Sequence, residues 1–357
     1  MLTLVVLLPP SQIVSSISQH PTTVYKSTAS RRQPFQLHPR PSISITSFHS
    51  HIAMGVFCYL VIGALAFHGV SASPTRLFAR DTDHPFANDT NILNFALTLE
   101  HLENVFYTTG LQNFSQQDFD KAGLPSGTRG FYEQISAHEQ THVDTLTATL
   151  ASLGAPAVQA CTYNYGVNGN VSTFVELSDL FETVGASAYS GAAHYLNKSD
   201  LLTVAASILA TEARQSTWIN NAIRGANPWS TAFETPLDLN QVFTLGIRPN
   251  PPLTATPPTA LPGQNVSLTF NASKAGNTTL FAAFLNGLNA TYVQLNGSQP
   301  FNVSIPQNLT GTTFLAITNS SSEHADNVTV AGPAFFNFAF GADNQTVPLK
   351  FIKLIES

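Results

Sequence analysis

Between residues 90 and 224 the apolar positions recur every three or four residues, the period of a helix with one buried face. Four segments carry that pattern: 90–109, 129–153, 172–196 and 199–223. Gly110, Gly154 and Gly225 stand where helix ends need a left-handed residue. Thr173-x-x-Glu176 reads as a capping box, and Ser199-Asp200 as an N-cap with an acid behind it. A long connection of some 18 residues separates the second and third segments. That predicts a four-helix bundle with one crossover.

After residue 225 the pattern changes. Pro228, Pro236, Pro249, Pro251, Pro252, Pro257, Pro258 and Pro262 predict a stiff or wrapping connection. We place the bundle at 81–250, a Pro-rich linker at 251–262 and a second domain at 263–357. In the second domain apolar and polar residues alternate over 266–270, 279–284, 292–295, 301–305, 313–317, 328–330 and 335–338. Turn signals at Pro262-Gly263, Asn286-Gly287 and Asn296-Gly297 separate these runs, as in a small antiparallel β-sandwich. The expected fold class is α+β, with two separate cores.

Only 10% of the residues are charged, and the net charge is −6. Residues 1–72 hold four basic residues (Lys26, Arg31, Arg32, Arg40) and no acid, so the rest carries 11 basic against 21 acidic. Such a surface does not favour nucleic acid or anionic lipid. The run MGVFCYLVIGALAF, from Met54, suits a signal-peptide core better than a membrane span. Val70-Ser71-Ala72 suits cleavage after residue 72. We read 1–72 as a signal peptide with an over-extended N-terminus before Met54; the acid-free, Ser- and Pro-rich stretch 1–53 also suits an organellar transit peptide.

N-x-[S/T] occurs at Asn88, Asn113, Asn170, Asn197, Asn265, Asn271, Asn277, Asn289, Asn296, Asn302, Asn308, Asn319, Asn327 and Asn344. Most lie after residue 260, all after the expected cleavage, and they predict a secreted, extracellular N-glycoprotein. The ending FIKLIES is too short and polar for a lipid-anchor signal, so no stable membrane anchor is expected in the mature form. A cell-wall partner is left open. Of Cys58 and Cys161, only Cys161 survives cleavage, which excludes an intrachain disulfide.

Acids are scarce, so those inside apolar stripes stand out. Glu100 and Glu103 share a face with Leu99 and Phe106; Glu139 and His142 with Ile135 and Leu146; Glu182 with Phe181 and Tyr189; Glu212 and Gln215 with Ile208 and Ile219. Each helix would point a carboxylate inward, where lone carboxylates are costly and close ones repel. A bound cation removes both costs. Glu100-x6-Tyr107 is matched by Glu182-x6-Tyr189, and Glu139-x2-His142 by Glu212-x2-Gln215. Two helix pairs of one plan, each offering a Glu and an i, i+3 pair, suit a di-iron or di-manganese centre.

The segments NFALTLEHLENVFY (94–107), SAHEQTHVDTLTATLASLGAP (136–156), LFETVGASAYSGAA (180–193) and ILATEARQSTWI (208–219) resemble the ferritin-like domain of secreted fungal stress-response proteins. That family is similar in turn to desiccation-related proteins and, more distantly, to ferritins and manganese catalases. The resemblance covers roughly 85–250 and extends to the two-part layout. It implies a bundle with a potential dinuclear iron or manganese site for peroxide or dioxygen redox chemistry, with Glu100, Glu139, His142, Glu182 and Glu212 as ligands. Gln215 departs from the usual His. A non-catalytic protective role outside the cell, with the bundle as a scaffold, is the alternative.

Glu103 reads either as a partner that hydrogen-bonds the ligands or as an extra ligand. Gln215 reads as a partner orienting the ligands or as a weak amide ligand. Tyr107 and Tyr189 are core aromatics or hydrogen-bond donors to the ligands. His101, His138 and His194 are expected beside the site or at the surface, Cys161 inert in the crossover, and Arg214 pointing away from the core.

Overall fold

The computed structural model describes the backbone of residues 5–7 and residues 88–246, 250–276 and 278–347. Residues 5–7 apart, the expected signal peptide lies outside the described residues, as do its cleavage site and the sequon at Asn277.

Helix α1 (Asp89–Asn113) begins at Asn88, whose side chain accepts from the amide of Asn91. A short α2 (Gln116–Lys121) leads into α3 (Thr128–Ser152), which packs along α1. The crossover contains β2 (Thr162–Asn164), antiparallel to β1 (Val5–Leu7). Helix α4 (Val171–Ala192) pairs with α5 (Ser199–Trp218), which continues into a π-helical turn, Ile219–Ile223. On α3 the buried positions run Thr128, Tyr132, Ile135, Glu139, His142, Leu146, Leu150, a continuous stripe of the expected period. On α4 almost every position is buried, because this helix is covered on more than one side.

Two expected helix signals act differently. The cap of α4 is Asn170, whose side chain accepts from the amides of Ser172 and Thr173; Thr173 is buried in the first turn. Gly110 does not end α1, which runs on to Asn113; a Cβ there would collide with the ring of Phe174. Gly154 and Gly225 do take positive φ, 69° at each.

The β half has two antiparallel sheets. One is ordered β3 (Leu253–Thr256), β4 (Asn265–Phe270), β7 (Phe301–Ser304). The other is ordered β6 (Asn289–Gln294), β5 (Phe281–Asn286), β8 (Gly311–Thr318), β9 (Thr329–Phe338). Strand β3 falls inside the stretch expected to be linker; it pairs along its length with β4. The runs 328–330 and 335–338 form one strand, β9, whose pairing with β8 is irregular around Leu315–Thr318.

The sheets keep a core of their own, but the two halves also pack against each other. All eight residues of β8 are buried. One face of the four-stranded sheet meets the three-stranded sheet through Phe284, Leu315 and Ile317. From the other face Ala283, Leu285 and Phe314 join the core made by α1, α4, α5 and α6 (Leu239–Gly246). The Pro-containing stretch after α5 fastens the halves: Thr312 N–H donates to Ser230, Gly287 N–H to Thr235 and Leu237 N–H to Ser187. Strands buried on both faces become part of a shared core.

Among the described residues no helix is long and apolar enough to cross a membrane. All thirteen described sequon asparagines are exposed, which their place at helix ends, turns and strand edges explains.

Candidate metal centre

The buried stripes of α1, α3, α4 and α5 converge, and each carries its acid to the middle. Glu100, Glu139, Glu182 and Glu212 are 0% exposed and Glu103 is 4% exposed. Ligand atoms of Glu100, Glu139, His142 and Glu212 all lie within 4.8 Å of one another. Nδ1 of His142 is 3.1 Å from Oε2 of Glu100, 3.1 Å from Oε2 of Glu139 and 3.4 Å from Oε1 of Glu212.

The fifth expected ligand, Glu182, lies beside Glu212 but outside that close group. Its Oε1 accepts from the Tyr107 hydroxyl. The Tyr189 hydroxyl donates to Oε1 of Glu100. Each tyrosine therefore serves the glutamate of the opposite helix pair. Gln215 contacts the cluster through its amide nitrogen, while its Oε1 is buried without a hydrogen-bond partner. Its Nε2 donates to Oε1 of Glu139 at 3.2 Å and lies 3.3 Å from Nδ1 of the exposed His138. The amide thus orients a ligand, as second partners at metal sites do.

Electrostatics mark the cluster as short of positive charge. Burial, opposed by the His142 contact, pushes Glu139 up to about 7; burial and the Glu139 charge push Glu212 to about 7. Burial and neighbouring carboxylates hold Glu103 and Glu182 well above the usual range, and burial also raises Glu100. Burial alone would lower the His142 imidazole, but its contacts with Glu100, Glu139 and Glu212 outweigh that and push it up to about 12. Oε2 of Glu182 and both oxygens of Glu212 are buried without a hydrogen-bond donor. Carboxylate and imidazole donors of this number, with oxygens unsatisfied, fit divalent iron, manganese or zinc.

The centre is reached from one side. A cavity of about 410 Å³ between α3 and α5 is lined by His138, His142, Gln215, Arg214, Phe131 and Trp218, among others. Arg214 is exposed there, as its position two residues beyond Glu212 dictates. His101 lies 3.1 Å from the carbonyl of Val158, the His194 ring lies tilted against that of Tyr195, and Cys161 is a free, half-buried thiol. None of the three is in the cluster.

The sequence reading missed two features. Asp179 on α4 pairs with Arg224 just after the π-turn, and both are buried. Tyr132 bonds Ser178 at 2.8 Å and packs edge-on against Trp218. An acid inside the α4 stripe was the available signal for the first; the second needs the helix packing.

Residues 88–225 match the model of the ferritin-like domain. The chain combines a ferritin-like helical domain with antiparallel sheet and carries a buried Glu/His group able to hold a metal. It is similar to Protein rds1 of Schizosaccharomyces pombe, 26% identical over 318 residues, spanning 67% of this chain and 77% of that protein. It is also similar to a conserved hypothetical protein of Mycobacterium tuberculosis of known crystal structure, with 20% identity, 39% of this chain and 99% of that one covered, and a TM-score of 0.33.

Proposed function

We propose that the helical domain binds a dinuclear iron or manganese centre and uses it for redox chemistry on peroxide or dioxygen, within a secreted, N-glycosylated stress-response protein. The observation that carries this reading is His142 Nδ1 set among three buried carboxylates, beside Glu182 and Glu212 oxygens that no donor satisfies. When bound, paired ions of this kind supply one- and two-electron exchange with oxygen species. The chain's own residues do the rest. Glu100, Glu139, His142, Glu182 and Glu212 would hold the ions. Tyr107 and Tyr189 fix the carboxylates of Glu182 and Glu100, and Gln215 fixes Glu139. Apolar packing keeps bulk water out, while the α3–α5 cavity admits a small substrate to the His142 side. Exposure of the described sequon asparagines supports glycosylation.

The test is metal analysis of protein secreted from a eukaryotic host, followed by measurement of dioxygen release from peroxide. Iron or manganese in stoichiometric amount, lost in His142→Ala, is expected. Metal-free protein whose stability ignores chelators would favour a second reading: a non-catalytic extracellular or cell-wall protective glycoprotein with the bundle as scaffold. The hydrogen bond from Gln215 to Glu139, in place of a second imidazole, is what favours that alternative.

A further inference from the structure

Tyr107 of α1 meets Glu182 of α4, and Tyr189 of α4 meets Glu100 of α1. The two helices therefore run antiparallel about a local two-fold, and their midpoints face each other. At those midpoints stand Glu103, three residues after Glu100, and Gly185, three residues after Glu182. The symmetry of the two helix pairs breaks here: one side offers a carboxylate where the other offers no side chain.

The glycine makes the room. A Cβ on Gly185 would collide with Oε2 of Glu212 and lie 3.3 Å from Oε1 of Glu103, so the two carboxylates flank one point. Oε2 of Glu212 is buried with no donor, and so is Oε2 of Glu182. Two buried carboxylates that meet at one point, one of them with an oxygen no donor satisfies, are relieved by a shared cation.

We propose that Glu103 is a fifth carboxylate ligand, shared by the two ion positions on the α1–α4 side, and that it makes good the imidazole missing at Gln215. This rests on the metal-binding reading above. It assigns the harder, all-oxygen donor set to the position next to Glu182 and Glu212, and the imidazole to the position next to Glu100 and Glu139. The second position would thus prefer manganese or iron(II) over softer ions.

The experiment uses full-length protein stripped of metal with a chelator, then titrated with Mn(II) alone by calorimetry, with metal content measured after dialysis. Wild type should take up two ions. Glu103→Gln, of the same shape, should weaken the second by about tenfold or more. Gly185→Ala should act in the same direction, because the methyl displaces both carboxylates. Metal-free Glu103→Gln should melt higher than wild type, having one buried acid fewer, yet gain less on adding Mn(II). A merely structural Glu103 would not reverse sign in that way. Retention of two ions at wild-type affinity in Glu103→Gln, with binding still abolished by His142→Ala, overturns the assignment of Glu103 alone. Wild type that takes up no Mn(II) overturns it together with the metal-binding reading.

Discussion

The hydroxyl of Tyr107 on α1 donates to Glu182 on α4, tying the first helix pair to a carboxylate of the second. The bond holds one oxygen of Glu182 and leaves the other free to bind. It is repeated in mirror sense by Tyr189 and Glu100.

Tyr107→Phe should therefore cost about 1–3 kcal/mol of metal-free stability, the usual penalty for a buried acceptor losing its donor. It should also weaken metal binding by about 10–100-fold, as loss of an orienting partner does. Thermal melts and Mn(II) titration check both. Unchanged binding would show that Glu182 is not a ligand.

The pH dependence of the metal-free protein has a definite sign. Glu139 and Glu212 are raised from 4.5 to about 7, and His142 from 6.5 to about 12. Each raised group contributes stability that is complete below its unfolded value and is lost as pH climbs towards its folded one. Stability of the chelator-treated protein should fall from pH 5 to pH 8. Metal affinity should rise over the same window, since binding displaces those protons. Melting temperatures with and without Mn(II) at the two pH values test this. A metal-free melting point that rises with pH would contradict the assigned cluster.

Because Phe314 belongs to the core shared with the helices, its loss should be felt by both halves. Phe314→Ala should cost about 3–5 kcal/mol, with helical and sheet signals melting together. For the same reason a fragment 81–250 should be much less stable than the whole chain, since it lacks the sheet face that Ala283, Leu285 and Phe314 provide. A fragment that melts like the intact protein would mean the shared core contributes little.

Secreted protein should lose mass on enzymatic removal of N-glycans and should begin near Ser73. Intact-mass measurement before and after treatment reads both. No mass shift, or retention of residues 1–53, would remove the secretion reading.

The helices were legible because burial on one face imposes a period, and α3 shows it without a break. Glu100, Glu139, His142, Glu182 and Glu212 were legible for the same reason: a charged residue in an apolar stripe is conspicuous. Which neighbours Gln215 and Glu103 would meet was not, because that depends on which helices face each other across the bundle. Strand β3 was hidden by the prolines around it, and the unity of β9 by Gly332-Pro333 in its middle. The shared core escaped notice because β8 shows buried threonines, Thr312, Thr313 and Thr318, where alternation suggests solvent.

Helix α4 presents Glu182, Gly185 and Tyr189 to the centre, while Ser187 accepts from the amide of Leu237 and Gly191 lies tight against the Leu237 backbone. Chemistry and connection thus share a single rod, less than two turns apart. Any event that tightens Glu182 or Tyr189 pulls on the same backbone that anchors the strap and, through it, the sheet. The amide of Leu237 is therefore a built-in gauge: its hydrogen-exchange rate should slow when ions fill the bundle, reporting from outside the centre on what happens within it.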